Sequence, residues 1–250
     1  MAVYKSKGIV LRSIRYGEAD RILDLYTRDA GLVSAIAKGI RRTRSRFGAR
    51  LEPLSCVDFM AYHGRTLDTV TQAEVLRSFH SIREELSRFE AAAGMVGSVR
   101  ALSAGDEADR RVFNLLYNGL VALEERDSGY GAVEAAFGLK LSILAGYAPQ
   151  LDACLSCGAN PYEGTEPLYF APTLGGLLCP DCRAVTGDSF PLPPGAHERL
   201  AAAIENPIRE APSEGELEEA LLRVVRSHIL AHAPGNAIPG TRTTGARRPA

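Results

Sequence analysis

Four of the five cysteines form two Cys-x-x-Cys pairs, Cys154 with Cys157 and Cys179 with Cys182, and 21 residues separate the pairs. Each pair lets two thiolates approach one ion from a tight turn, and two pairs complete a tetrahedron. Such spacing is typical of zinc sites, although the spacer is slightly longer than usual. Because four thiolates leave no open coordination position, the pattern predicts a structural zinc ion (Zn²⁺) and not a catalytic one.

The alternative for these cysteines is a set of free or redox-active thiols. A thioredoxin-like site needs one Cys-x-x-Cys at a helix start beside a parallel sheet. Here two pairs bracket a Gly- and Pro-containing spacer, which favours metal binding. The fifth cysteine, Cys56, lies in an apolar stretch and is expected in the core.

A second candidate site is a run of cations, which we call the basic block, at residues 38–50. The block contains six basic residues and no acid, in a chain whose net charge is only −1. Cations that contact phosphates release condensed counterions, so such a block favours binding of a polyanion. The alternative is that the block is a solvated loop that keeps the protein soluble. The predicted DNA-contacting residues are its six cations: Lys38, Arg41, Arg42, Arg44, Arg46 and Arg50.

The positive charge of the chain is concentrated in its first 50 residues. The first 50 residues hold twelve Lys or Arg against four Asp or Glu, a net charge of +8. Since the chain totals −1, the remaining 200 residues sum to −9. A basic N-terminal segment followed by a mildly acidic remainder suggests that one face of the protein binds an anionic partner.

No catalytic constellation is evident. The sequence contains no phosphate-binding P-loop, no Gly-x-Gly-x-x-Gly, no Gly-x-Ser-x-Gly and no His-Glu-x-x-His. The five histidines are scattered, and the i, i+4 pair of His228 and His232 is interpreted as a solvated helix end. The chain is therefore predicted not to be an enzyme.

The segment from residue 6 to 75 reads as five short strands separated by turn signals. Apolar runs and partial alternation mark the strands, and His63-Gly-Arg65 is a plausible hairpin turn. Five strands in about 70 residues suit a small closed barrel, with the OB-fold as leading candidate. An SH3-like barrel also fits this count, and Phe47 and Tyr62 are expected to pack into the barrel, with base stacking as their alternative role.

From about Ser78 the pattern becomes helical. The first expected helix begins at Ser81. The other expected helices cover residues 86–103, 107–126, 130–146, 194–206 and 214–231. The fold class is thus α+β, an N-terminal OB-fold β-barrel followed by an α-helical domain with an inserted four-cysteine zinc module. The expected divisions are the barrel at 1–77, helical parts at 78–150 and 191–232, the zinc module at 151–190 and a disordered tail at 233–250.

No segment reaches the roughly 18 unbroken apolar residues that cross a bilayer. The first ten residues have no apolar signal core. These features predict a cytoplasmic protein without a membrane partner.

Two motifs carry a resemblance to a known family. They are Lys38-Gly-Ile-Arg-Arg42 after the barrel's third strand and Leu144-Ala-Gly-Tyr-Ala-Pro149 leading into Cys154. Together with the order of barrel, helices and cysteine pairs, they make residues 3–230 resemble RecO, the family of bacterial recombination mediators. The resemblance implies an OB-fold and, in many members, a zinc module.

The resemblance also implies a function. RecO-like proteins bind single- and double-stranded DNA, anneal complementary strands and contact the C-terminal tail of the single-strand-binding protein SSB. With RecR they help load RecA onto SSB-coated DNA during repair, without breaking bonds. These partners, and a cytoplasmic place at the nucleoid, are expectations from the resemblance. Because some members lack the full cysteine set, zinc is expected to be dispensable for the shared activity.

Two other classes remain open at this point. A zinc-ribbon transcription or translation factor would place basic residues around the cysteine pairs, yet only Arg183 is close to them, among acids. A nuclease would need clustered carboxylates for a catalytic metal, and the sequence shows none.

Overall fold

The computed structural model describes residues 2–43, 45, 47–103, 108–160, 167–211 and 215–233. Its first part is a closed barrel of five strands in the order β1-β2-β3-β5-β4, with β1 pairing back to β4. The strands are β1 (Val3–Tyr16), β2 (Asp20–Thr27), β3 (Gly31–Ala37), β4 (Cys56–Tyr62) and β5 (Asp68–Arg77). All pairs are antiparallel except β3 with β5.

The long first strand closes the barrel. Its start pairs with β4 and its end with β2, and the register shifts between Val10 and Arg12. Such a bulge bends a strand and increases its twist, which lets one strand serve both neighbours. Five strands with this connectivity form an OB-fold, so the predicted barrel is confirmed.

A helical part follows the barrel, and one helix forms its centre. The helices are α1 (His80–Glu84), α2 (Leu86–Leu102), α3 (Arg110–Glu125), α4 (Tyr130–Leu144), α5 (Ala196–Glu205) and α6 (Gly215–His232). Helix α4 is buried along most of its length, because α2, α3, α5 and α6 all pack against it. The predicted α+β class is confirmed, and among the described residues no helix is long and apolar enough to cross a bilayer.

Small residues let these helices approach closely, as their composition suggested. At Gly94 of α2 there is no room for a Cβ atom, because the Glu134 carboxylate of α4 occupies that space. Glu134 is itself buried and accepts two hydrogen bonds from Arg226 of α6, at 2.8 and 2.9 Å. One bidentate pair therefore joins α4 to α6 beside α2.

The cysteine-containing segment inserts between α4 and α5. It contains a hairpin of β6 (Tyr169–Ala171) and β7 (Gly176–Leu178), a 3₁₀ turn at Pro180–Val185 and a short strand β8 (Phe190–Pro191). Phe170, Leu177 and Phe190 belong to the same apolar core as the helices. We call the segment from Leu151 to Phe190 the cysteine module; its inner face is part of the main core.

Side chains also connect the barrel to the helices. Arg77 at the end of β5 donates to the Glu124 carboxylate of α3, with nitrogen–oxygen distances of 2.7 and 2.8 Å. Tyr26 of β2 is buried, and its hydroxyl donates to the backbone oxygen of Asp109. These contacts hold one side of the barrel against the helical part.

One prediction was wrong. His228 is not at a solvated helix end; it is buried, and its Nε2 donates to the backbone oxygen of Tyr147 at 2.7 Å. The ring meets Phe170 edge to face at 6.0 Å, because the cysteine module covers this end of α6. Since Nε2 carries the proton, Nδ1 is a bare acceptor, and it has no partner among the described residues.

The burial of His228 predicts a pH dependence of stability. Burial lowers the pKa of His228, and the nearby His232 lowers it further. The hydrogen bond to the Tyr147 backbone raises the pKa, but it does not outweigh burial. As pH falls below the ordinary histidine pKa of about 6.5, the unfolded chain binds a proton first, so stability is lost. In urea titrations, His228→Gln should lose less stability than the wild type between about pH 8 and pH 5.5. Equal losses would show that His228 does not titrate as described, and exposed His80→Gln is the control.

Candidate functional site

The four sulfur atoms of the paired cysteines converge in space. The Sγ atoms of Cys154, Cys157, Cys179 and Cys182 all lie within 4.8 Å of one another, and Cys157 and Cys179 are 3.8 Å apart. A tetrahedron with Zn–S bonds of about 2.3 Å has edges of about 3.8 Å. The thiols are not joined as disulfides. The four cysteines therefore form a candidate metal site.

Tight turns present the sulfurs. Gly158, with φ of +73°, closes the first turn by donating its N–H to the Cys154 oxygen at 2.9 Å. In the second turn, Cys182 donates its N–H to the Cys179 oxygen at 3.1 Å. Strand β7 brings the two turns together, because Leu155 donates its N–H to the Leu177 oxygen at 2.9 Å and Cys179 directly follows this strand.

The close approach of the thiols shifts their pKa values in opposite directions. Burial raises the pKa of Cys154, but N–H groups of Cys157, Cys179 and Ser156 together lower it to about 6. For Cys182, the Ser156 side chain lowers the pKa, but hydrogen bonding with Cys179, burial and the other two thiols raise it to about 12. One thiolate forms readily and later ones are opposed, so a divalent ion would have to displace protons from the cluster.

The surroundings of the cluster do not suit a polyanion. Asp152 and Asp181 are exposed beside the cysteines. Arg183, close to Cys182 in the sequence, lies over the ring of Tyr169 at 5.9 Å. A ribbon that itself bound nucleic acid would present the opposite charge.

The basic block leaves the barrel at the end of β3 as an irregular loop. Gly39 and Gly48 have positive φ angles of 70° and 53°, which explains the loop predicted there. Ile40, Phe47 and Leu51 are buried in the barrel core, so the packing expected for Phe47 is confirmed. Tyr62 is half-buried.

The described cations of the block lie on the surface. Lys38, Arg41, Arg42 and Arg50 are exposed, whereas Arg44 and Arg46 lie outside the described residues. Among the residues described, no carboxylate lies within ion-pair distance of Lys38 or Arg42. The loop therefore holds several positive charges on the surface, and apolar contacts anchor it to the barrel.

The turn between β1 and β2, residues 17–19, touches the block. Arg41 donates its backbone N–H to the Ala19 oxygen at 2.9 Å and its guanidinium to the Gly17 oxygen at 3.4 Å. Gly39 donates its N–H to the Asp20 carboxylate at 2.7 Å. These bonds fix the first turn of the block against the end of the β1–β2 hairpin.

The turn between β4 and β5, residues 63–67, lies at the opposite end of β1 from the β1–β2 turn, because Tyr62 pairs with Val3 whereas Asp20 pairs with Tyr16. Its end is fixed by the parallel pairing of Ala35 with Asp68, two residues before β3 ends at Ala37. Since β3 and β5 are parallel, the turn runs back along β3 and the block continues forward from its end. We call the surface along β3 that these three segments border the three-loop face: residues 17–19, 38–50 and 63–67.

Sequence reasoning missed several residues on this surface or next to it. Arg65 and His63 are exposed in the β4–β5 turn, and Tyr16 and Arg15 are exposed at the tip of β1. In the sequence they read only as turn and strand residues. The pairing of β3 with β5, which places the β4–β5 turn along β3, joins residues 33 positions apart and has no local signal.

Comparison with known proteins covers nearly the whole chain. Residues 1–79 match the family described as Recombination protein O N terminal, and residues 83–239 match Recombination protein O C terminal. The chain belongs to the RecO family. It is 66% identical over 239 residues to the DNA repair protein RecO of Rubrobacter xylanophilus, covering 95% of each chain.

More distant RecO proteins align over most of their length too. The DNA repair protein RecO of Symbiobacterium thermophilum is 36% identical over 92% of each chain. That of a Nocardioides species is 42% identical over 76% of this chain and 78% of its own. The resemblance drawn from the sequence motifs is confirmed, and the RecO family relates this chain to DNA repair.

Proposed function

We propose that this RecO-family chain binds single- and double-stranded DNA on the three-loop face and anneals complementary strands. With RecR, it helps to load RecA on SSB-coated DNA during repair. The observation that carries the proposal is the exposed charge of Lys38 and Arg42, which no described carboxylate compensates, on a loop with apolar anchors. Folding alone gives little reason to hold like charges together, whereas phosphate binding does.

Phosphate contacts position a strand without reading its sequence. The six predicted contacts are Lys38, Arg41, Arg42, Arg44, Arg46 and Arg50. A cationic surface screens the repulsion between two strands, so their bases stay free to pair. Annealing of this kind forms hydrogen bonds between bases and breaks no covalent bond, so the chain acts without a catalytic residue.

The proposed metal is one structural zinc ion bound by Cys154, Cys157, Cys179 and Cys182. When bound, zinc supplies a compact positive charge that compensates the thiolates. The residues themselves provide the two turns and the backbone hydrogen bonds that bring the four sulfurs together. Because a separate barrel core supports the three-loop face, the zinc serves folding of the cysteine module rather than DNA contact.

The proposed protein partners are those of the family: RecR, the C-terminal tail of SSB and, indirectly, RecA. The helical part is the proposed surface for the SSB tail. The chain works in the bacterial cytoplasm, at the nucleoid, and uses no membrane partner. The proposed divisions remain the barrel at 1–77, helical parts at 78–150 and 191–232, and the zinc module at 151–190; the proposed tail at 233–250 lies almost wholly outside the described residues.

An annealing assay on SSB-coated complementary strands, with and without magnesium, tests this function. We expect the protein to speed duplex formation equally in both conditions and to leave the strands intact. Magnesium-dependent cleavage would instead indicate a nuclease. Binding without any annealing would contradict the mediator role and favour a nucleic-acid-binding factor of another kind.

A further inference from the structure

Two histidines near the end of α6, His228 and His232, have rings that lie side by side. The ring centroids are 4.4 Å apart and the planes are inclined by 44°. Their i, i+4 spacing puts both side chains on one face of the helix. The turn of the β6–β7 hairpin lies against this face, because a Cβ atom at Gly175 would be 3.5 Å from Cε1 of each ring and from Nε2 of His232. The two rings therefore border one small space beneath the hairpin.

A backbone carbonyl fixes the protonated nitrogen of each ring. Nε2 of His228 donates to the Tyr147 oxygen at 2.7 Å, and Nδ1 of His232 donates to the His228 oxygen at 2.9 Å. A neutral imidazole has only one N–H group, so Nδ1 of His228 and Nε2 of His232 are both bare acceptors. Metal-binding histidines show the same arrangement, since a carbonyl that accepts from one ring nitrogen orients the other one toward the ion.

No protein donor satisfies the buried bare nitrogen. His228 is only 2% exposed, and its Nδ1 has no hydrogen-bond partner among the described residues. Leaving a buried acceptor unpaired costs stability, so a group that accepts its lone pair is favoured there. Burial also lowers the pKa of His228, which keeps the ring neutral and its lone pair available at neutral pH. His232 is half-buried and Tyr147 beside it is exposed, so a small ion can reach the pair from that side.

We propose that His228 and His232 bind one divalent transition-metal ion, through Nδ1 and Nε2 respectively, with water completing the coordination. Imidazole nitrogens suit Zn²⁺, Ni²⁺ and Cu²⁺, whereas Mg²⁺ and Ca²⁺ prefer oxygen ligands. Two histidines at i, i+4 on one helix can share an ion, as the His-Glu-x-x-His helices do. This site shares no ligand with the four cysteines and does not depend on DNA binding. Because the hairpin turn lies against both rings, the bound ion stabilises the contact between the cysteine module and α6.

The test is a titration with Ni²⁺, followed by calorimetry, of the full chain loaded beforehand with zinc. We expect one Ni²⁺ per chain, an unchanged zinc content by elemental analysis and no competition from Mg²⁺. His232→Ala removes one of the two ligands and should weaken Ni²⁺ binding by more than about 10-fold, the cost of losing even an outer partner of a metal ligand. His232→Gln keeps a polar side chain and should show the same loss. The matched control is exposed His80→Ala, which should bind Ni²⁺ as the wild type does.

Thermal unfolding gives a second readout on the same proteins. An ion that binds only the folded chain, at 100 times its Kd, should raise the melting temperature of the wild type by about 5 °C. The His232 variants should show no such rise.

Three outcomes overturn the inference. Equal Ni²⁺ affinity of the wild type and both His232 variants shows that the ion binds elsewhere. Release of zinc in proportion to the Ni²⁺ bound shows that nickel has replaced zinc at the cysteines. No binding of Ni²⁺ by the zinc-loaded wild type shows that water, and not a metal ion, pairs with the bare nitrogens.

Discussion

Replacing Lys38, Arg41 and Arg42 together by alanine is expected to weaken binding of single-stranded DNA about 100-fold at 0.1 M monovalent salt. For single strands, each lost phosphate contact reduces the steepness of the plot of log affinity against log salt concentration by about 0.7. The loss of three contacts therefore reduces it by about 2. At 0.3 M salt the expected loss is therefore only about 10-fold. Fluorescence anisotropy over a salt series measures both the affinity and the slope.

The control for this variant removes the same charge elsewhere. Lys7, Arg28 and Arg209 are exposed cations outside the three-loop face, and their triple replacement by alanine changes the net charge equally. We expect that control to bind DNA within about 3-fold of the wild type, because only long-range attraction is reduced. If the two triple variants bind equally well and with the same salt slope as the wild type, the basic block is a solvated loop.

Removing the metal is expected to unfold the cysteine module. Replacing Cys154 by Ser takes away one of four ligands, and elemental analysis should fall from about one zinc per chain to near zero. Structural zinc contributes on the order of 10 kcal/mol in small zinc peptides, so the module's own core of Cys154, Ala171 and Leu178 should be lost. Because Phe170 and Phe190 also belong to the main core, the melting temperature of the helical part should fall as well.

Cys56→Ala is the control for the cysteine replacement. Cys56 is a buried cysteine of β4, remote in sequence from the cluster, and its replacement should preserve the zinc content. DNA affinity of the metal-free protein should stay close to that of the wild type where the barrel remains folded. A protein that is purified without metal and is nonetheless folded and equally stable would exclude a structural zinc site.

Local sequence signals located most elements, because each strand and helix carries its own periodicity and end signals. The helix α4, predicted at residues 130–146, spans Tyr130–Leu144. The cysteine cluster was recognised because ligands from two tight turns must follow a fixed short spacing.

Features created by long-range packing had no such signal. His228 looked solvated because nothing in its own helix shows that the cysteine module covers it. Glu134 is buried against Gly94 and Arg226, which only the packing of three helices makes apparent. Likewise, the stack of His63 on Tyr4 joins two ends of the barrel sequence. In each case the partner is distant in the chain, so the local pattern carries no information about it.

The most direct measurement of the central claim is hydrogen exchange followed by mass spectrometry, with and without a thymidine oligonucleotide. We predict slower exchange of backbone amides in the three-loop face, residues 17–19, 38–50 and 63–67, and little change in the cysteine module. Protection confined to the cysteine module or the helices, with unchanged exchange in all three loops, would contradict DNA binding on the three-loop face.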